Sequence, residues 1–338
     1  MAAALGKLAN LAGRRENRHT SGHVPIQAPP MNPTLPVAAF QFDYHAEQPG
    51  GLPAYAGSAW RGAFGHALKR TVCVVRDVAC ADCLLYRSCA YPYIFETPPP
   101  PGSAKLRHYT AAPHPFALAV GPDGAQTPYR LGVHLFGRGL QYLPYIIHAL
   151  DKAGAHGLGK QRRAVFRLAE VSQQDGGGDW HRIFAPGLAL SPRGPVVPTP
   201  PPVPKTLRIE LQTPLRLRRE DRAVTAPDFQ FADLFSALLR RVSLLTYFHT
   251  DTPLENDFAG LTQAAKTVRL LAPDLVWWDW TRYSTRQQAS MDMGGLLGGF
   301  GLDGAEIEAF WPYLWLGQWT LVGKAATMGL GRYRIHID

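Results

Sequence analysis

The two halves of the chain end alike, and this repetition constrains the fold more than any other feature. The first half closes with "YLPYIIHALDKAGAHGLGKQRRAVFRLAEV" and the second with "FWPYLWLGQWTLVGKAATMGLGRYRIHID". In each, Pro-Tyr begins an apolar helical stretch and a Gly-Leu-Gly-basic turn follows, Gly157 to Lys160 and Gly329 to Arg332. A short alternating strand comes last. Three features in one order at similar spacing point to a duplicated structural unit.

The halves also open alike. "VAAFQFDYH" (Val37 to His45) alternates as a strand does and precedes the helical "AYAGSAWRGAFGHALKRTV". "KTLRIELQTPLRLRR" (Lys205 to Arg219) alternates likewise and precedes "FADLFSALLRRVSLLTYF". There Phe231, Leu234, Phe235, Leu238, Leu239 and Val242 recur at helical spacing, so Arg240 and Arg241 fall off the apolar face. Strand, helix, strands, helix, glycine turn and strand describe a ferredoxin-like βαββαβ unit. The expected fold is therefore α+β, with two tandem ferredoxin-like (RRM-like) domains and a Cys-rich insertion in the first. Such a layout offers an open sheet and a cleft between domains, where an extended RNA strand fits.

Proline places the joint. "SPRGPVVPTPPPVPK" (Ser191 to Lys205) is stiff and extended. The expected boundaries are a leader over 1–34, an N-terminal domain over 35–186, a Pro-rich linker over 187–204 and a C-terminal domain over 205–338. The Ala-rich, basic "MAAALGKLANLAGRRENRH" reads as a disordered leader, with Met31 as the start, in preference to a transit peptide. No apolar run reaches the ~18 residues of a membrane span. A formal charge of +9 favours a polyanionic partner.

Four cysteines, Cys73, Cys80, Cys83 and Cys89, fall in one short stretch spaced C-x6-C-x2-C-x5-C. Clustering without a secretory signal argues for reduced thiols and a cytoplasmic protein. The central Cys-x-x-Cys lets two thiolates share one tetrahedral ion, and four close its coordination shell. A structural zinc is the first reading, a four-iron cluster the second and metal-free thiols the third. None of these is given a catalytic role.

The glycine segment "GKAATMGLGRYRI" fails as a Walker A loop, because Gly-Lys comes first and no second Gly-Lys follows. It fails as a dinucleotide fingerprint too, lacking the third glycine and opening a strand. It is read instead as a turn at Gly323, Gly329 and Gly331 whose backbone N–H groups approach an anion, flanked by Lys324, Arg332 and Arg334. An RNA backbone suits it; the plainer alternative is a glycine turn before an edge strand. Lys160 and Arg162 hold the corresponding place in the first half. "RYSTRQQ" supplies Arg282, Tyr283, Ser284, Arg286 and Gln287, able to bind phosphate, stack a base and bond its edge, or else to form a solvated loop. Trp277, Trp278 and Trp280 read as core anchors.

"WTRYSTRQQASMDMGGLLGGF" followed by "LGQWTLVGKAATMGLGRYRI" resembles the C-terminal domain of CRISPR-associated repeat-RNA endoribonucleases. These are the Cas-six type of the repeat-associated RNA-binding superfamily. "WRGAFGHALKRTVC" and "CADCLLYRSCAYPYIFE" resemble the family's N-terminal domain. The resemblance implies a protein that binds CRISPR repeat RNA and cuts it without metal, leaving a 2′,3′-cyclic phosphate and a 5′-hydroxyl. It would then hold the mature crRNA among other effector-complex subunits. It also implies that the chemistry sits near the first helix. There His66 and Lys69 share one helical face, with Tyr44 and His45 at the end of the first strand. The plain alternative for His66 is a partly buried helix histidine. Many relatives carry histidine where this chain has Leu321. Two rival readings follow: an inactive crRNA-binding subunit, and a zinc-stabilised protein-interaction module.

Overall fold

A computed structural model describes residues 32–337, except 49–51, 54, 104, 106–110, 122–127, 160–163 and 285–288. The expected leader and four expected RNA contacts, Lys160, Arg162, Arg286 and Gln287, lie outside the described residues or almost wholly so.

Both halves form the expected unit. In the first, β1 (Val37–Gln48), α1 (Gly57–Val72), β2 (Phe116–Val120), β3 (Tyr129–Phe136), α2 (Leu143–His156) and β4 (Val165–Gln174) precede an extra strand, β5 (Trp180–Phe184). The sheet runs β2-β3-β1-β4-β5 and every pairing is antiparallel. Its first four strands keep the ferredoxin-like order.

The second half opens with β6 (Thr206–Leu215), a small hairpin of β7 (Arg218–Arg219) and β8 (Arg222–Ala223), α3 (Phe231–His249) and α4 (Phe258–Ala264). Next come β9 (Val276–Trp278), a hairpin of β10 (Thr281–Ser284) and β11 (Ala289–Asp292), and β12 (Gly295–Asp303). The chain ends with α5 (Gly304–Ile307), α6 (Trp311–Thr320) and β13 (Tyr333–Ile337). The sheet order β13-β6-β12-β9 repeats that of the first domain.

Alternation along β1 explains how the N-terminal sheet packs. Phe40, Phe42 and Tyr44 face α1 and α2 in one core with Trp60, Phe64, Ile146 and Leu150. Val37, with Ala117 and Phe136 from neighbouring strands, joins the core of the C-terminal domain instead. His134 on β3 reaches the Trp319 carbonyl of α6 at 2.7 Å. The N-terminal sheet is thus covered on both faces, which corrects the expectation of an open sheet there. On β6 of the other sheet, the outward positions Thr206, Arg208, Glu210 and Gln212 alternate with buried ones.

The Pro-rich segment is docked as well as extended. Val196 pairs with Val37, and the Trp311 indole N–H donates to the Pro201 carbonyl at 2.7 Å. No helix among the described residues is long and apolar enough to cross a membrane.

The repeated Gly-Leu-Gly turn has a plain backbone cause. Gly157, Gly159, Gly329 and Gly331 all have positive φ, while Leu158 and Leu330 between them are buried. Each turn lets the chain reverse from a helix into the fourth strand of its ferredoxin-like unit. At Gly331 (φ 72°), an added Cβ would lie 1.7 Å from the Val322 carbonyl oxygen. Gly331→Ala is expected to lower stability by at least about 2 kcal/mol, read as a lower urea midpoint; an unchanged midpoint would contradict this account.

Candidate nucleic-acid interface

The cationic residues that the sequence scatters come together in one groove between the domains. Its cavity of about 850 Å³ is lined on one side by Ala111 to His114 and on the other by α3, the β6–β7 connection and the turn after α6. Arg216, Arg218, Arg219, Arg240, Arg241, Lys266 and Lys324 contribute positive charge, against Asp233 alone among the lining acids. Arg219 is already held by Asp233, its Nε donating at 2.8 Å. Arg216 donates to the Gly294 carbonyl at 3.0 Å.

Arg241 is the exceptional member. Its Nε donates to the Thr320 carbonyl at 2.5 Å, and its guanidinium lies 5.9 Å from the centre of the Phe136 ring. No ion pair holds it among the described residues, and its Nη2 is shielded from solvent without a hydrogen-bond partner. Burial pulls its pKa down to about 10, still far above neutrality. A shielded, charged donor without a carboxylate is costly in a resting fold, and an anionic ligand relieves that cost.

His114 stands across the groove. Its Nδ1 is 2.7 Å from the Thr97 hydroxyl. Burial, then Arg61, Arg241 and His249, push its pKa down to about 3, so it is neutral at pH 7. The sequence marks Arg240 and Arg241 only as residues off an apolar face and does not single out His114. The missing signal was tertiary: residues 111–114 and α3 meet only after both domains fold.

The glycine turn borders this groove, but it grips protein. The N–H groups of Gly329 and Gly331 donate to the Ala326 carbonyl at 2.9 Å and the Pro214 carbonyl at 3.0 Å, and the Lys324 N–H to the Arg216 carbonyl at 2.9 Å. Both Gly329 and Gly331 are buried. The expectation that their amides cradle an anion is therefore corrected: they close the turn. Gly323 lines the groove with φ of 84°, and an added Cβ would crowd the Arg216 carbonyl at 2.5 Å. The Lys324 side chain is exposed at the groove. Arg332 is partly buried, its pKa lowered by burial, while Arg334 points outward from the edge strand β13.

The candidate catalytic residues fare unequally. His66 and Lys69 are exposed on α1, three residues apart, and Lys69 sits 5.4 Å from the Tyr91 ring centre. His45 is exposed and lies opposite Arg167 in the sheet register. No hydrogen bond joins His45, His66 and Lys69 among the described residues. Tyr44 is wholly buried between Trp60 and Phe166, with ring centres 5.1 and 6.2 Å away. Burial raises its pKa well above the usual phenol value. Tyr44 is a core residue out of reach of a ligand, which corrects its place in the candidate set.

Leu321 is also wholly buried, in the core of the C-terminal domain. It is not among the residues that line the groove.

Of the RNA candidates in the β10–β11 hairpin, Arg282, Tyr283 and Ser284 lie on β10, paired with Met291, Ser290 and Ala289. The neighbouring tryptophans are not all core anchors. Trp277 is exposed on the edge strand β9, while Trp278 and Trp280 stack at 6.2 Å beside Tyr55 and Leu330.

The cysteines are unbridged and partly buried, and all four line one small cavity. Among the described residues, no three His, Cys, Asp or Glu side chains stand close enough together to hold an ion as placed.

Comparison with known proteins agrees with this architecture. Residues 209–333 match the family model described as CRISPR-associated endoribonuclease Cas6, and residues 35–195 match an N-terminal domain model named AF_1859_N. An uncharacterized protein of Archaeoglobus fulgidus is 26% identical over 172 residues, covering 49% of this chain and 57% of that protein. The chain thus spans little more than half of that relative. The structure is similar to a Cas6 product complex, with a TM-score of 0.54 and 17% identity over 89% of this chain and 99% of that one. It is similar to Thermus thermophilus Cas6, with a TM-score of 0.51 and 15% identity over the same shares. It is also similar to a partial Cas6-RT-Cas1–Cas2 complex, with a TM-score of 0.51 and 15% identity over 91% of this chain and 47% of that one. These likenesses share the tandem fold, and within it residues 209–333 match the Cas6 family model.

Proposed function

We propose that the chain binds CRISPR repeat RNA along the interdomain groove and cuts it at one phosphodiester bond, then retains the crRNA product. The observation that carries this reading is Arg241, a shielded guanidinium with an unpartnered donor, set in a groove lined by further cations. A phosphate oxygen satisfies both its charge and its open hydrogen bond. The match of residues 209–333 to a CRISPR-associated endoribonuclease model favours RNA as the ligand, and the likeness to a Cas6-RT-Cas1–Cas2 complex favours other CRISPR proteins as partners.

Cleavage in this reading needs no metal. A base takes the proton from the ribose 2′-hydroxyl, whose oxygen attacks the adjacent phosphorus. The bond to the 5′-oxygen breaks, and an acid protonates that leaving group. The products are a 2′,3′-cyclic phosphate and a 5′-hydroxyl. The exposed imidazole of His66 is the first choice for proton transfer, and the Lys69 ammonium, one helical turn away, steadies the phosphate charge. The N-terminus of α1 abuts the turn at the groove: a Cβ on Gly57 would meet the Met328 carbonyl oxygen at 1.9 Å. His66 lies nine residues further along, about 14 Å at the helical rise.

In EDTA with labelled repeat RNA, His66→Ala is expected to slow cleavage by about 10²- to 10⁴-fold while leaving binding intact, and His45→Ala to change it little. Cleavage undiminished in His66→Ala would overturn the assignment of the base.

The second reading is a crRNA-binding subunit without cleavage. What favours it is the lack of any hydrogen bond among His45, His66 and Lys69. Wild-type protein that binds the repeat and yields no cut product would establish it.

A further inference from the structure

The segment from Thr71 to Cys89 contains no buried residue. Val74, Val78 and Leu84 are 77%, 41% and 86% exposed, so apolar packing does not hold it. Its backbone is nevertheless tightly turned. Cys83 N–H donates to the Cys80 carbonyl at 3.1 Å, Tyr86 to Cys83 at 2.9 Å and Cys89 to Leu85 at 2.8 Å. Turns of this kind, exposed on the surface, are marginal without a cross-link, because ordering the chain costs entropy that no core offsets.

The cysteines are where a cross-link belongs. All four are partly buried in a segment otherwise mostly exposed, and all four line one cavity of about 30 Å³. That is room for one ion. The Cys80-x-x-Cys83 pair straddles a single tight turn, the arrangement by which two thiolates share a metal. The thiols do not yet converge: the Cys73 Sγ is turned to the Val75 carbonyl at 3.2 Å. Closure requires the thiols to swing into the cavity they already share.

We propose that Cys73, Cys80, Cys83 and Cys89 bind one zinc ion as four thiolates, fixing the segment after α1 in place of a hydrophobic core. On binding, each thiol loses its proton to solvent and gives a lone pair to the metal, with no change of oxidation state. The site has no open coordination position and takes no part in RNA chemistry.

The test is elemental analysis of the full chain as purified, with thiol titration on the same sample. About one equivalent of zinc per chain is expected, with the four thiols protected until a mercurial displaces the metal. A Cys80→Ser/Cys83→Ser double variant should lose zinc affinity by at least ~10-fold. Metal-free protein with four reactive thiols, disulfides found by mass, or an iron-containing brown protein would each overturn the proposal. The wild-type measurement stands even where the variant fails to fold.

Discussion

Arg241→Ala is expected to weaken repeat-RNA binding about 10- to 100-fold, the range for removing a charge-assisted contact. The wild-type guanidinium is already fixed by the Thr320 carbonyl and the Phe136 ring, so it loses little freedom when phosphate arrives. Its removal should also lower the slope of log affinity against log salt by about 0.7 for each lost phosphate contact on single-stranded RNA. Arg241→Lys should restore charge without restoring full affinity, because an ammonium lacks the planar fork. Lys324→Ala, at an exposed groove position, should cost less and reduce the slope similarly. Filter-binding or fluorescence titrations across a salt series check this. An unchanged affinity in Arg241→Ala, with melting confirming a folded protein, would remove the groove from the RNA path.

Acid is expected to destabilise the protein well before its carboxylates titrate. Burial holds His249 and His134 neutral with pKa values of about 4, and His114 with one of about 3. The His249 Nε2 faces the Pro113 carbonyl at 2.7 Å, which requires a proton there, and its Nδ1 is then free to accept from the Tyr93 hydroxyl at 3.0 Å. Arg138 and Arg241 add repulsion against a second proton. In the unfolded chain these imidazoles titrate near the ordinary value of about 6.5. Between that value and about pH 4 the unfolded state binds more protons, so stability falls as pH falls. For His249, which is 1% exposed, the slope approaches about 1.4 kcal/mol per pH unit below pH 6. Urea midpoints at pH 7.5 and 5.5 should therefore differ clearly, and His249→Gln should reduce the difference. Equal midpoints would mean that these side chains reach solvent. His249 and His134 both bond across the two domains, so acid acts first on their docking.

Local features were legible in the sequence because their causes are local. The apolar repeat of α3 named its buried face: Phe231, Leu234, Phe235, Leu238, Leu239 and Val242 are all buried. The Gly-Leu-Gly repeat marked equivalent turns, since positive φ is needed at the same places in both halves. What the glycines do there was misread. Gly-rich sequence before basic residues looks the same whether its amides face an anion or its own chain, and only the partners Ala326 and Pro214 decide. Tyr44 was misplaced for a related reason. A strand end reads as surface, but α1 and β4 close over this one with Trp60 and Phe166. The groove was invisible because His114 meets Arg216, Arg241 and Lys324 only across the domain interface, and those three, far apart in sequence, come together only when the C-terminal domain folds.

The turn after α6 is fastened on two sides. Its Gly329 carbonyl accepts from Thr213 of the C-terminal sheet at 2.7 Å, and its Met328 carbonyl accepts from Tyr55 of the N-terminal domain at 2.8 Å. One short segment therefore acts as a rivet through both domains, and it forms part of the groove wall. The aperture between the walls is set at folding, so a ligand need only order side chains and spends no binding energy on hinge closure.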